Sequence, residues 1–167
     1  MSSNLRLLSI TAAVIVALDQ ATKLYIDQSF RLYESVTVIE KLFNITYVRN
    51  QGAAFGILSE SAYRIPFFIT VSLAAAVGIL WYLSRLGADK KMAAFALSLI
   101  FAGAVGNLID RIRLGEVIDF LDVHWHQYHW PAFNVADSAI TVGVALLLID
   151  MWREERQQKN TKRTRQS

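Results

Sequence analysis

Two aspartates of the 167-residue chain are flanked by apolar residues: Asp119, in segment 115–120, and Asp137, in segment 133–138. Two carboxyl groups that face each other in apolar surroundings at a membrane boundary can share one proton. Such a pair can activate water as a base and protonate a leaving amine as an acid. The spacing alone does not establish that Asp119 and Asp137 meet, so other chemistries stay open.

Covalent catalysis has no convincing nucleophile in this sequence. The chain contains no cysteine, which excludes a thiol nucleophile, disulfides and thiolate metal sites. The sequence pairs no serine with a histidine or lysine at a suitable depth. These residues therefore favour attack by a water molecule that two aspartates activate.

The composition indicates which elements must position the aspartates. Hydrophobic residues make up 54% of the chain and charged residues 19%, whereas soluble domains average about 45–50% and about 25%. The apolar residues form runs at 5–26, 65–83, 92–109 and 133–152, each close to the ~20 residues that cross a bilayer. We predict an all-α membrane protein: a four-transmembrane-helix bundle in a single integral domain over 1–152, followed by a basic cytoplasmic tail over 153–167.

Basic residues predict the orientation of the spans. Arg6, the connection 85–91 and the tail lie on one side of an alternating path. The positive-inside rule places both termini in the cytoplasm, so that segments 27–64 and 110–132 lie outside. Much of the net charge of +3 comes from the tail, and basic residues beside an apolar run typically face anionic lipid. No nucleic-acid-binding motif accompanies this charge, and we predict no nucleic-acid partner.

One outer segment is expected to form strands. Residues 31–58 alternate in places, are rich in β-branched and aromatic side chains, and contain the turn signal Asn50-Gln51-Gly52. This pattern predicts a small β element on the outer surface. The loop 122–131 of the other outer segment carries three aromatic residues of the kind found at membrane interfaces.

Several polar residues are spaced so that both members of a pair share one helix face. These pairs are Asp19 with Lys23, Asn107 with Arg111, and Asn134 with Asp137. At a rise of ~1.5 Å per residue, Asp19, Asn107 and Asp137 each lie about 20 Å from the predicted cytoplasmic end of their spans. Three helices therefore bring polar side chains to one level near the outer face, as a buried site that opens outward requires. Asp19 and Lys23 are expected to form a structural ion pair.

Histidines offer an alternative chemistry. A metal site could be built from His124, His126 and His129 with Asp119 or Asp122, because two histidines that flank one residue can bind zinc from a strand. The sequence has no HExxH pattern, and histidines among Trp and Tyr are typical of a membrane interface. We therefore predict no metal site and no cofactor, which activity in the presence of strong chelators would support.

Two further alternatives belong to other classes of protein. An ion-coupled transporter could use Asp19, Asp110 and Asp137 as a relay. Transport sites usually lie near the midplane of spans that show repeat symmetry, whereas these carboxylates cluster toward one face and no repeat is visible. In a membrane scaffold, loss of the carboxylates would affect assembly more than any reaction.

Four blocks of the sequence resemble the bacterial lipoprotein signal peptidases (signal peptidase II), which are membrane aspartic proteases. In the family's order they are DQATK at 19–23, NQGAAF at 50–55, GNLIDRIRLGEVIDF at 106–120 and FNVADS at 133–138. One departure is Gln51, where the family often carries Thr. Its neighbours are intact, so we expect altered local contacts and no loss of activity.

The resemblance implies an aspartic endopeptidase that removes signal peptides from diacylglyceryl-modified prolipoproteins by cleaving on the N-terminal side of the lipidated cysteine. It implies that Asp119 and Asp137 are the catalytic dyad. The residues expected to bind substrate or support the site are Asn50, Gly52, Asn107, Arg111, Asn134, Asp19 and Lys23. The family fold is a four-helix membrane bundle with a periplasmic β-cradle.

The resemblance also implies partners and a location. The expected partners are diacylglyceryl-prolipoprotein substrates and membrane lipid, and a monomer is expected to be functional. The expected location is the bacterial inner membrane, with the active site near the periplasmic face.

Overall fold

The computed structural model describes residues 3–52 and 63–164. Within them, the helices are α1 (Ser3–Ser29), α2 (Arg64–Arg85), α3 (Lys91–Leu114) and α4 (Val135–Thr164). Each described helix is long and apolar enough to cross a membrane, which agrees with the predicted spans. The part of the predicted β element at 53–58, the end of the NQGAAF block and the last tail residues lie outside the described residues.

Helix α3 forms the centre of the bundle. In its most apolar 18-residue window 67% of the residues are buried inside the protein, against 11–22% for the other helices. Alanines and glycines on α3 let the neighbouring helices approach closely. A Cβ atom at Gly106 would lie only 2.7 Å from Oδ2 of Asp19 on α1. Helices α1, α2 and α4 expose many large apolar side chains, as expected of surfaces that contact lipid.

Contacts at one end of the bundle join the four helices. The side-chain amide of Asn4 donates to the carbonyl oxygen of Leu86 over 2.9 Å, so the start of α1 lies against the end of α2. Lys90, just before α3, lies 2.6 Å from Glu154 of α4. The described helices therefore alternate in direction, as the predicted path requires.

A small antiparallel sheet lies at the other end of the bundle. In the described part of the chain its order is β1 (Ser35–Ile39), β2 (Phe43–Asn50), β3 (Val117–Trp125) and β4 (Tyr128–His129). The predicted β element corresponds to β1 and β2, and the fold class is confirmed. The sequence prediction missed β3, which carries Asp119, and β4. Strand β3 is buried at residues 117–120 without interruption, so it lacks the alternation that marks a half-exposed strand.

A glycine connects the central helix to this sheet. Gly115 has a φ of 73°, in the left-handed region, and its N–H donates to the carbonyl oxygen of Arg111. Because glycine adopts this conformation without a Cβ penalty, it ends α3 and starts the turn into β3. Side chains of Ile26, Tyr47, Ile118 and Phe120 then pack together and attach the sheet to the bundle.

Helix α4 begins and ends later than its predicted span. The chain forms a bridge between Phe133 and Leu121 of β3 before the helix begins at Val135. The helix continues without a break to Thr164, through most of the segment assigned to the tail. The division into a domain over 1–152 and a tail over 153–167 stays a prediction.

Candidate active site

Asp119 is a buried carboxylate in the middle of the sheet. Its side chain lies on β3, and the residue is 2% exposed. Oδ2 accepts a hydrogen bond from the side-chain amide of Asn50 on β2 over 2.9 Å, and Oδ1 accepts one from Asn134 over 2.7 Å. Both oxygens are therefore held in place by amide donors.

Asp137 is built into the N-terminus of α4. Asn134 is the residue before the helix, and its Oδ1 accepts a hydrogen bond from the Asp137 N–H over 2.9 Å. In return Asp137 Oδ2 accepts one from the Asn134 N–H over 3.2 Å. This reciprocal pair is a capping box, which satisfies two N–H groups that the helix itself leaves free. The other oxygen, Oδ1, accepts a hydrogen bond from the side chain of Asn107 over 2.7 Å.

Asn134 therefore contacts both aspartates. It is completely buried, and its Nδ2 atom lies 2.7 Å from Asp119 Oδ1 and 3.2 Å from Asn107 Oδ1. The structure thus brings Asp119 and Asp137, 18 positions apart in sequence, to opposite ends of one asparagine. Spacing alone could not predict this meeting.

Lys23 lies behind the amides. Its Nζ atom is 2.9 Å from Oδ2 of Asp19, 2.9 Å from Oδ2 of Asp110 and 3.0 Å from Oδ1 of Asn107. The Asp19–Lys23 ion pair predicted from their spacing is present. Asp110 is a second carboxylate on the same ammonium group, and Asn107 extends the contact to Asp137.

Asp19 also stabilises the start of α4. Its Oδ1 accepts a hydrogen bond from the N–H of Ala136 over 2.9 Å. The close approach of α1 to α3 depends on the missing side chain at Gly106. Asp19 therefore joins Lys23 to the helix that carries Asp137.

Sequence reasoning missed two supporting residues, Asp110 and Gln20. Asp110 is 1% exposed, and its Oδ2 also accepts a hydrogen bond from the N–H of Ile118 over 3.2 Å. Gln20 donates to Asp19 and to Asp110. Asp110 lies three positions after Asn107, a spacing that places both on the helix face toward Lys23. This spacing could have predicted that Asp110 supports the site.

Arg111 donates toward the chain segment that follows β2. Its Nη2 atom is 3.5 Å from the carbonyl oxygen of Gly52, and its guanidinium group lies 4.7 Å from the centre of the Phe68 ring. The Gly52 N–H in turn donates to Asn50 Oδ1 over 2.9 Å. Arg111 and Gly52 thus hold the end of β2 beside Asp119. Gln51, the residue that departs from the family pattern, donates a hydrogen bond to Glu116 over 2.7 Å.

The two aspartates border a cavity of about 570 Å³. Its polar lining consists mainly of Asn50, Asn107, Arg111, Asp119 and Asp137, and much of the rest is apolar. Gly52 also lines the cavity, whereas Asn134, Asp19 and Lys23 support the lining residues from behind. The site therefore combines a carboxylate pair, amide donors, one guanidinium group and an apolar wall.

Comparison with known proteins identifies the family. The family model described as signal peptidase (SPase) II matches residues 11–153. The chain belongs to the signal peptidase II family. Its predicted enzyme class, an aspartic endopeptidase of the lipoprotein signal peptidase type, is thereby confirmed.

Relatives and solved structures agree with this membership in the signal peptidase II family. A lipoprotein signal peptidase of Geobacter metallireducens is 60% identical over 158 residues, covering 95% of this chain and 98% of the relative. One of Geobacter sulfurreducens is 63% identical over 141 residues, covering 84% and 88%. A solved bacterial membrane enzyme, determined by the in meso method at 2.3 Å resolution, superposes with a TM-score of 0.82 at 36% identity, covering 89% of this chain and 88% of that one.

For a signal peptidase II, the protonation of the site is as important as its geometry. Burial, together with the charge of Asp137, raises the pKa of Asp119 to about 7, although the hydrogen bonds from Asn50 and Asn134 act in the opposite direction. A carboxyl group with this pKa can hold a proton near neutral pH and return it during a reaction. Asp119 is therefore suited to the acid role in an aspartic dyad.

The structure also shows where the residues of the transporter and metal-site hypotheses lie. Asp19 and Asp110 both pair with Lys23, which leaves Asp137 as the member of the proposed transport relay that lines the cavity. Of the proposed metal ligands, Asp122, His124 and His129 lie together. Within the described residues, neither His126 nor Asp119 belongs to that group.

Proposed function

We propose that this protein cleaves diacylglyceryl-modified prolipoproteins on the N-terminal side of the lipidated cysteine, with Asp119 and Asp137 as its catalytic dyad. The observation that carries the proposal is the double contact of Asn134, whose side chain binds Asp119 and whose backbone N–H binds Asp137. One residue thus contacts both carboxyl groups, and both aspartates line the same cavity. Water activation by an aspartic dyad requires this kind of pairing.

We assign the shared proton of the dyad to Asp119 and the negative charge to Asp137. The pKa of Asp119 is raised to about 7 by burial and by the charge of Asp137. Asp137 accepts hydrogen bonds from Asn107 and from the N–H of Asn134 at the start of α4, where the helix dipole favours an anion. The two groups titrate as a coupled pair.

In the proposed reaction, Asp137 takes a proton from water as the water oxygen bonds to the scissile carbonyl carbon. Asp119 gives its proton to the carbonyl oxygen, which produces a neutral gem-diol. Asp137 then protonates the amide nitrogen, the C–N bond breaks, and Asp119 recovers a proton from a hydroxyl group as the carboxyl product forms. Each aspartate returns to its starting state, so the cycle requires no cofactor.

The remaining lining residues fit the task of positioning a peptide beside the dyad. Asn50 and Asn107 carry amide groups that hold the two aspartates, and Arg111 and Gly52 hold each other at the rim. We propose that Arg111, Asn50 and Gly52 also contact the substrate backbone. Asp19 and Lys23 act through other residues and are positioning residues.

The proposed orientation has both termini in the cytoplasm and the dyad near the periplasmic face of the bacterial inner membrane. The basic residues Arg6, Lys90 and Lys91 lie at the bundle end opposite the dyad, as the positive-inside rule requires. The basic segment of 153–167 then faces anionic lipid. One chain supplies both aspartates, so we propose that a monomer is functional.

Cleavage of a lipidated precursor by the purified full-length protein tests the substrate proposal. A diacylglyceryl-modified prolipoprotein and the same precursor without lipid are incubated with the protein in detergent, and the released signal peptide is quantified. We expect cleavage of the lipidated precursor only, with the new N-terminus at the modified cysteine. Equal cleavage of both precursors would contradict the proposed specificity.

A further inference from the structure

A group of potential metal ligands lies on the hairpin formed by β3 and β4, outside the dyad. Asp122 and His124 are two positions apart on β3 and both are buried, whereas Val123 between them is exposed. They therefore point to the same face of the sheet. His129 on β4 is the cross-strand partner of His124, which places a third donor on that face.

The donor atoms of these residues converge. One ring nitrogen of each histidine and one carboxylate oxygen of Asp122 lie within 4.8 Å of one another. Nδ1 of His129 is 2.8 Å from Oδ1 of Asp122, and the two imidazole rings stack with centres 4.6 Å apart. Ligands of a tetrahedral Zn²⁺ ion at ~2.0–2.1 Å lie roughly 3.3 Å apart. The side chain of His129 is 50% exposed, so a rotation of this residue can close the remaining distance.

Asn44 orients the carboxylate of this group. Its side-chain amide, on the neighbouring strand β2, donates to Oδ2 of Asp122 over 2.9 Å. Oδ1 is left facing His129. Metal-binding carboxylates and histidines are commonly fixed by such an outer hydrogen bond.

His124 provides the independent indication of a ligand. The residue is 8% exposed, and its Nδ1 atom is buried with no hydrogen-bond partner among the described residues. A buried ring nitrogen without a partner is costly to the folded protein. A bound cation, or a water molecule that the cation holds, would supply the missing partner.

Contrary to the sequence prediction of no metal site, we propose that Asp122, His124 and His129 form a binding site for a divalent transition-metal ion of the Zn²⁺ type, separate from the catalytic dyad. Two imidazoles and one carboxylate are ligands that Zn²⁺ accepts, with water in the fourth position. Asp119 lies three residues before Asp122, about 10 Å along the strand and on its other face. The ion therefore does not take part in cleavage.

The site has a structural consequence for the cavity. His129 directly precedes residues 130–133, which line the cavity beside the dyad. A metal ion that ties His129 to β3 would fix the start of this wall. The ion thus cross-links the two strands of the hairpin.

Metal binding can be measured without any proteolytic assay. The full-length protein, with any affinity tag removed, is titrated with Zn²⁺ in detergent by isothermal titration calorimetry, and thermal melting is recorded with and without the metal. The chain has three histidines and no cysteine, so background binding is low. Variants are His129→Ala, Asp122→Asn and, for the outer contact, Asn44→Ala. His126→Ala is the matched control, because His126 lies in the same hairpin but outside the ligand group.

We expect one Zn²⁺ per chain and a higher melting temperature with the metal in the unmodified protein and in His126→Ala. Asn44→Ala should weaken binding about tenfold or more, and His129→Ala and Asp122→Asn by at least as much. No stoichiometric binding would overturn the proposal. It would also be overturned if His129→Ala bound Zn²⁺ as tightly as the unmodified protein, or if His126→Ala lost binding to the same extent as His129→Ala.

Discussion

The ammonium group of Lys23 donates to the side-chain oxygen of Asn107 over 3.0 Å, and this contact fixes the orientation of the Asn107 amide. With its oxygen held by Lys23, Asn107 presents its NH₂ group to Asp137 over 2.7 Å. An amide that was free to rotate could place its oxygen against the carboxylate instead. Lys23 therefore acts on the dyad through Asn107, without lining the cavity.

Replacement of Lys23 by Met should destabilise the protein severely. The substitution leaves Asp19 and Asp110 buried without their counter-ion, and breaking a buried pair from one side costs about 3–5 kcal/mol. Thermal or denaturant unfolding in detergent measures the loss. Lys90→Met is the matched control, since Lys90 pairs with Glu154 while 40% exposed, and such exposed pairs contribute little to stability. Equal losses in both variants would contradict the buried network.

Two substitutions at Asn134 separate its helix-capping role from its contacts with the dyad. Asn134→Ser keeps an N-cap acceptor for the Asp137 N–H but removes the amide that donates to Asp119. We expect kcat to fall at least about tenfold, and the protein to lose the stability contributed by the buried amide while it keeps that of the helix cap. Asn134→Ala removes both functions and should be less stable than Asn134→Ser by about 1 kcal/mol. An Asn134→Ser variant with full kcat would show that the amide is unnecessary.

The pH dependence of cleavage should report the proton on Asp119. Burial and the charge of Asp137 raise the pKa of Asp119 to about 7, so the protonated acid is depleted as the pH rises through this value. We expect kcat/KM for a lipidated precursor to decline above about pH 7. A rate that stays constant to pH 9 would contradict the assignment of the acid role.

The same raised pKa makes the stability of the folded protein depend on pH. Because the pKa of folded Asp119 is about 7, above its ordinary value of 3.8, the folded protein binds this proton more tightly than the unfolded chain. The stabilising contribution is complete below pH 3.8 and is lost as the pH rises to 7. Asp119→Asn removes this dependence, so the melting temperature of the variant should rise relative to the unmodified protein between pH 5 and pH 8. A constant difference would contradict the raised pKa.

Gly106 should tolerate no side chain. A Cβ atom there would lie 2.7 Å from Oδ2 of Asp19, which is bound to Lys23. Gly106→Ala should therefore lower both stability and activity. Gly78→Ala is the matched control, because a Cβ atom at Gly78 meets nothing within 4 Å, and alanine favours a helix by roughly 0.5–1 kcal/mol. Comparable behaviour of the two variants would show that the close approach of α1 to α3 is unimportant.

Much of the bundle could be predicted because spans of about twenty apolar residues are a local signal. Asp19, Asn107 and Asp137 could be placed at one depth for the same reason, since the rise of a helix is constant. Strand β3 was missed because the burial of residues 117–120 on both faces removes, in its first half, the alternation on which strand prediction depends. Its pairing with β2 places Asn50 beside Asp119, and such a contact between distant segments has no local signal.

The ion pairs of Lys23, which support the dyad, show a second limit of prediction from sequence. The sequence predicted the pair Asp19–Lys23, but not that Asp110 shares the same ammonium group. A buried lysine with two carboxylates depends on how α1 and α3 face each other, and that rotation is set by small residues such as Gly106. The resemblance of the motifs implied which residues to expect at the site, whereas the contacts between these residues required the fold.

Single-turnover cleavage of a diacylglyceryl-modified prolipoprotein by Asp119→Asn and Asp137→Asn tests the central claim most directly. Asp89→Asn, on the exposed connection at the opposite end of the bundle, serves as the matched control, and thermal melting verifies folding. We predict that each dyad variant folds but cleaves at least about 10²-fold more slowly, whereas the control cleaves at the normal rate. Substantial cleavage by either folded dyad variant would contradict the assignment of Asp119 and Asp137 as the catalytic pair.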